Sequence, residues 1–100
     1  MRKPVRVLIA DDHQVVREGL QMILAESDGE IIVVGEASDG DEAVRLATAV
    51  KPDVVLMDLS MPRVDGLEAT RRLREAGIES RVLILTSFAD GQGVRDAVRA

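Results

Sequence analysis

One hundred residues, 46% of them hydrophobic, suffice for one small domain with a packed core. The absence of cysteine excludes disulfides and thiolate metal sites and fits a reducing cytoplasm. No signal-peptide pattern opens the sequence, and no apolar run approaches the roughly 20 residues of a membrane span. A net charge of −5, from 13 basic and 18 acidic residues, argues against nucleic-acid binding by this segment itself and suits a divalent cation or a basic partner surface.

Val5 to Ala10 reads as a strand, and residues 14 to 26 follow as a helix with Val16, Leu20, Ile23 and Leu24 on one face. The β-branched run from Ile31 to Ala37 is a second strand. Residues 40 to 50 are helical, with Asp39 and Glu42 at capping-box spacing and Lys51-Pro52 as the stop. Val54 to Met57 is a third strand, apolar without alternation, as expected when both faces of a parallel sheet are covered. After a loop containing Pro62, Asp65 and Glu68 repeat the capping spacing for a helix carrying Ala69, Leu73 and Ala76 inward and stopping at Gly77. Val82 to Leu85 is a fourth strand, and a last helix starts near Gly91. Four strand–helix units at even spacing predict an α/β fold: a parallel sheet with helices on both faces and right-handed crossovers. Neither glycine-containing stretch, 35 to 40 or 91 to 93, matches a dinucleotide-binding or Walker-type phosphate loop.

Open parallel sheets bind ligands at the carboxyl ends of their strands. Asp11 and Asp12 follow the first strand here, Asp58 ends the third, and Thr86 and Ser87 end the fourth; Glu36-Ala37-Ser38 after the second fits less well. Three carboxylates brought together repel one another, which raises a pKa or demands a cation. Mg²⁺ is the natural cation, being hard and partial to oxygen. A carboxylate beside it can attack phosphorus to give an acyl phosphate, with a hydroxyl nearby for a phosphoryl oxygen. The plainer reading of an aspartate after a strand is a helix cap. That competes for Asp11 or Asp12 singly but explains two in a row poorly, and explains Asp58, which precedes a loop, poorly too. His13, the single histidine, is read as an exposed helix-start residue, Met57 and Met61 as packing, and Arg71, Arg72 and Arg74 as a solvated helix face.

Val5 to His13, with its Asp11-Asp12 pair, the stretch Val54 to Pro62 with Asp65-Gly66, and Leu83 to Ser87 resemble, in order and spacing, the three signature strands of a response-regulator receiver domain. The wording from Asp11 to Leu20 and from Leu85 to Ala89 is similar to the NarL/FixJ subfamily, whose members carry a LuxR-type helix-turn-helix domain after the receiver. The resemblance implies a flavodoxin-like (CheY-like) doubly wound sheet of order 2-1-3-4(-5). It makes Asp58 the phosphoacceptor and gives Mg²⁺ to Asp11, Asp12, Asp58 and the backbone carbonyl of Ser60. Thr86 becomes the phosphoryl-binding switch hydroxyl, and the backbone N–H groups of Leu59 and Ser87 become donors to phosphoryl oxygens. The phosphate would come from a sensor histidine kinase or a small acyl phosphate, with no turnover of an external substrate and with DNA reached only through a further domain.

The family has five strand–helix units where this sequence reads as four. Residues 1 to 100 are therefore expected to be an incomplete receiver, lacking the fifth strand, its helix and its lysine, with a DNA-binding domain downstream. Lys3 and Lys51, the only lysines, are not placed to substitute. Slow phosphorylation and self-association through an uncovered fourth strand are expected of such a fragment. Two other readings are a non-phosphorylated pseudo-receiver that docks partners and a Mg²⁺-dependent phosphohydrolase with an aspartyl-phosphate intermediate. The second is disfavoured because Ser60 stands where haloacid-dehalogenase-like enzymes place a second aspartate.

Overall fold

The computed structural model describes residues 3–85. In chain order these form β1 (Val5–Ala10), α1 (Gln14–Ala25), β2 (Ile31–Ala37), α2 (Gly40–Val50), β3 (Val54–Asp58), α3 (Gly66–Glu75) and β4 (Arg81–Leu85). The strands make one parallel sheet of order β2-β1-β3-β4, the expected doubly wound order. Thr86, Ser87 and the helix expected from Gly91 lie outside the described residues.

Connectivity decides which face each helix covers. The first crossover steps from β1 to β2 in one direction, and the next two step the other way. Right-handed connections then place α1 on one face and α2 and α3 together on the other. Leu8 and Ala10 of β1, Ala37 of β2, and Val55 and Met57 of β3 meet Ala43 and Ala47 of α2 and Ala69 and Leu73 of α3 in the main core. Alanines on the inner helix faces let both helices lie close to the strands. Met61, in the loop after β3, is buried against the same cluster, as its packing role required.

The apolar face of α1 is only partly covered. Val16, Leu20, Ile23 and Leu24 share that face, but no α1 residue is fully buried, and Ile23 is 65% exposed. α1 packs on β2 and β1 while α2 and α3 pack on each other, so among the described residues only one flank of α1 is covered. Leu83, midway along the edge strand β4, is 55% exposed while its neighbours Val82 and Ile84 pack on the core.

The caps follow the sequence closely. The Asp39 carboxylate accepts the Glu42 N–H at 2.7 Å, and the Asp65 carboxylate accepts that of Glu68 at 2.8 Å. The return contact of the first box is displaced by one residue: the Glu42 carboxylate takes the N–H of Ser38, at 2.8 Å. Lys51 closes α2 in the left-handed region (φ 48°), and Gly77 (φ 74°) follows α3. Arg71 and Arg72 pair with Glu68 on the exposed outer side of α3, as a solvated face should.

One irregularity has consequences at the site. Val7 of β1 pairs with Val33 of β2, but Leu8 pairs with Gly35, so Val34 is an extra residue in β2. A one-residue slip turns every later side chain to the other face. Ala37 thereby enters the core opposite Ala10, and Glu36, opposite Ile9, is sent to the α1 side.

Candidate functional site

Ala10 of β1 pairs with Met57 of β3, so the next residues, Asp11 and Asp58, leave adjacent strands at the same level. Strand order reverses between these two strands, which opens the crevice where doubly wound sheets bind ligands. Asp11 is 4% exposed and Asp58 3%. Asp12 and His13 complete the group on the rim, and one ligand atom from each of the four residues lies within 4.8 Å of all the others. Asp11, Asp12 and Asp58, expected from sequence to converge, do so.

The electrostatics are those of crowded anions. Burial first, then the Asp11 charge, push the Asp58 carboxyl above the ordinary aspartate range, against the Ser60 N–H that donates to its Oδ1 at 3.3 Å. His13 is exposed, as expected, but is not idle. Its Nδ1 lies 3.0 Å from carboxylate oxygens of both Asp11 and Asp12, and its backbone N–H donates to Asp11 Oδ1 at 2.8 Å. The hydrogen bond to Asp11, reinforced by the charge of Asp12, raises the imidazole pKa. The carboxylates thus favour the protonated, cationic form of the imidazole.

The donor set suits Mg²⁺. Bonds of 2.0–2.1 Å in an octahedron put ligand atoms about 3–4 Å apart, which is the scale of this cluster. Carboxylate oxygens are the hard donors it prefers, and a bound cation would offset the burial and the neighbouring Asp11 charge that raise the Asp58 pKa.

Gly66 sets the depth of Asp58. A Cβ there would stand 2.2 Å from the Asp58 carbonyl oxygen, so the first turn of α3 lies directly on the end of β3. The Gly66 N–H also donates to the Leu59 carbonyl at 2.9 Å. The Leu59 N–H, expected to face a phosphoryl oxygen, is otherwise engaged: it donates to the Leu85 carbonyl at 3.3 Å, because the β3–β4 ladder continues one step past Asp58. Ser60 lies beside Asp58 through its own N–H. Thr86 and Ser87 are outside the described residues. Lys51 lines a cleft at the opposite, amino-terminal edge of the sheet with Val5, Asp53 and Arg81, so it does not serve Asp58.

Sequence reasoning assigned no role to Arg17, which is largely buried and bonds both the Asp11 carbonyl and Glu36. Its only signal was a position one helical turn past the acidic pair, which many surface arginines share.

A doubly wound parallel sheet of order 2-1-3-4 with clustered aspartates at its switch point is the architecture of receiver domains. The chain belongs to the response regulator receiver domain family, whose profile matches residues 7–100. It is 47% identical over 96 residues to the transcriptional regulatory protein LiaR of Bacillus subtilis, a match covering 96% of this chain and 45% of that protein. Among solved structures, the signal receiver domain of NarL from Mycobacterium tuberculosis superposes with a TM-score of 0.89 at 37% identity, over 98% of this chain and 78% of that one. A two-component response regulator of the LuxR family from Aurantimonas gives 0.85 at 38% identity, over 96% and 68%. The chain spans less than half the length of the curated relatives it matches. Among the described residues no helix is long and apolar enough to cross a membrane.

Proposed function

We propose that this chain is the phosphoacceptor of a cytoplasmic two-component response regulator, with Asp58 as the residue that carries the phosphoryl group. The observation that supports this best is the buried Asp58 carboxylate beside Asp11 and Asp12. A carboxylate oxygen of Asp58 attacks the phosphorus of a phosphohistidine on a sensor kinase. The O–P bond forms, the P–N bond breaks, and the leaving imidazole nitrogen keeps the electron pair. Asp11, Asp12, Asp58 and the Ser60 carbonyl are the residues that would hold Mg²⁺, which, when bound, offsets negative charge on the carboxylates and the incoming phosphoryl group. The Thr86 hydroxyl and the Ser87 N–H are assigned to phosphoryl oxygens. Leu59 could join them only by giving up its bond to Leu85.

The output is read as transcriptional, through a helix-turn-helix domain beyond this segment. Relatives such as LiaR are named transcriptional regulators, and the acidic receiver itself offers nothing for DNA. The chain acts as a switch, with no external substrate turned over. The exposed Val16, Ile23 and Leu83 favour self-association. Sedimentation velocity should show concentration-dependent dimers or larger species; a monodisperse monomer at high concentration would contradict that.

The decisive assay is intact mass after incubation with Mg²⁺ and acetyl phosphate. The expected result is a gain of one phosphoryl group in the wild type, none in Asp58→Asn, and none with EDTA. No gain in the wild type, with no Mg²⁺ bound, would leave the docking pseudo-receiver. Steady hydrolysis of phosphate monoesters would leave the phosphohydrolase.

A further inference from the structure

The acidic loop between β1 and α1 has to hold Asp11 and Asp12 in place while their charges push apart. Its backbone is gripped on both sides. The Asp11 N–H donates to the Ala37 carbonyl at 3.0 Å, at the end of β2. The Asp11 carbonyl accepts from Nη1 of Arg17 at 2.6 Å. Arg17 is itself anchored, since its Nε donates to Glu36 Oε1 at 3.1 Å. The arginine side chain is only 17% exposed and the Glu36 side chain 40%, so the pair is partly shielded from solvent. Two fixed donors of one planar guanidinium thus join the acidic loop to β2, a task a lysine ammonium cannot copy in geometry.

The extra residue in β2 makes this link possible. With an unbroken register, Ala10 would face Glu36 and the carboxylate would point to the α2 side. The slip at Val34 pairs Glu36 with Ile9 instead, on the side where α1 runs. Ala37, one residue on, supplies the other grip on Asp11. The end of β2, which seemed least suited to the site from sequence, therefore sets the acidic loop from both sides.

We infer that Arg17, oriented by Glu36, is a positioning residue for the Mg²⁺ pocket: it fixes the peptide that carries Asp11 and Asp12 and does not touch the cation or phosphate. The inference rests on the assignment of Mg²⁺ to that pocket. It carries an unusual sign. Arg17 is a cation near a cation site, so its charge alone opposes Mg²⁺ binding, and deleting that charge should tighten it. Its hydrogen bonds do the opposite. Partners that orient metal ligands typically contribute ten- to a hundredfold in affinity.

The chain has no tryptophan or tyrosine, so Mg²⁺ affinity is best read by titration calorimetry on the untagged protein. Arg17→Met is expected to weaken binding about tenfold, and Arg17→Lys by less. Glu36→Gln is expected to weaken it severalfold, with the loss persisting in high salt, where the Debye length shrinks to about 3 Å and a purely coulombic effect fades. Thermal melts in EDTA accompany each variant, and Glu36→Gln carries the test if Arg17→Met does not fold. Unchanged or tighter binding in Arg17→Met, or a Glu36→Gln effect abolished by salt, would overturn the positioning role while leaving the pocket intact. No Mg²⁺ binding by the wild type, or binding that survives in the double variant Asp12→Ala, Asp58→Asn, would instead remove the pocket itself.

Discussion

In EDTA at neutral pH, Asp58→Asn should be more stable than the wild type by about 2 kcal/mol, a gain of roughly 10 °C in melting temperature for a domain of this size. Two like charges about 4 Å apart repel by about 4 kcal/mol at an effective dielectric of 20, and part of that is already relieved by His13 and the Ser60 N–H. The amide keeps the shape of the carboxylate and removes the charge. The pH dependence follows from the direction of the shift. The Asp58 carboxyl titrates higher in the folded chain than in the unfolded one, so protonation favours folding. That contribution is complete below the unfolded pKa and is lost as pH rises through the folded pKa. The gap between variant and wild type should therefore be small in acid and open as pH climbs past the range of the shifted carboxyl. Mg²⁺ should reverse the ranking or close it, raising the wild-type melting temperature while leaving the variant nearly unmoved. An Asp58→Asn protein less stable than wild type in EDTA would mean the carboxylate is already fully paired, and the case for a missing cation would fail.

Strand positions, helix limits and both capping aspartates were legible because each rests on local chemistry: an apolar run, an Asp three residues before a Glu, a proline after a lysine. The convergence of Asp11, Asp12 and Asp58 was legible for a topological reason, since the carboxyl ends of β1 and β3 must be neighbours in a doubly wound sheet. The bulge at Val34 was not. Val33 and Val34 are the same residue type, so nothing in the run marks where the register slips, and the slip alone decides whether Glu36 faces α1 or α2. Arg17 was missed as a consequence. The cover of the α1 face was not legible for a different reason: amphipathic spacing shows which residues share a face, but what covers them depends on another element. The bond from the Leu59 N–H to Leu85 was not legible, because the length of the β3–β4 ladder is a property of the pair of strands, and neither sequence segment states it.

Gly66→Ala is expected to destabilise the fold by about 1–3 kcal/mol and to weaken Mg²⁺ binding at least tenfold. The residue does not need glycine for its backbone angles; it is absent from the positive-φ set that includes Gly29 and Gly77. It needs glycine for space. An added Cβ would meet the Asp58 carbonyl oxygen at 2.2 Å, with the Asp58 carbonyl carbon and the Leu59 Cα at 3.0 Å, all backbone atoms that cannot rotate away. The helix or the strand end must move. The Gly66 N–H to Leu59 carbonyl bond resists that, as does the Thr70 hydroxyl on the Gly66 carbonyl at 2.7 Å. Alanine's better helix propensity returns at most about 1 kcal/mol, which is too little to offset the clash. Because the atoms displaced belong to Asp58 and Leu59, the damage reaches the carboxylate directly. Gly77→Ala is the control. Its φ of 74° strains any L-residue, but beyond its chain neighbours nothing lies within 4 Å of the new methyl. It should cost about 1 kcal/mol and leave Mg²⁺ affinity unchanged. Equal Mg²⁺ affinity in wild type and Gly66→Ala would mean that the close seat of α3 on β3 does not set the depth of Asp58, and that the pocket is positioned from the β1 side alone.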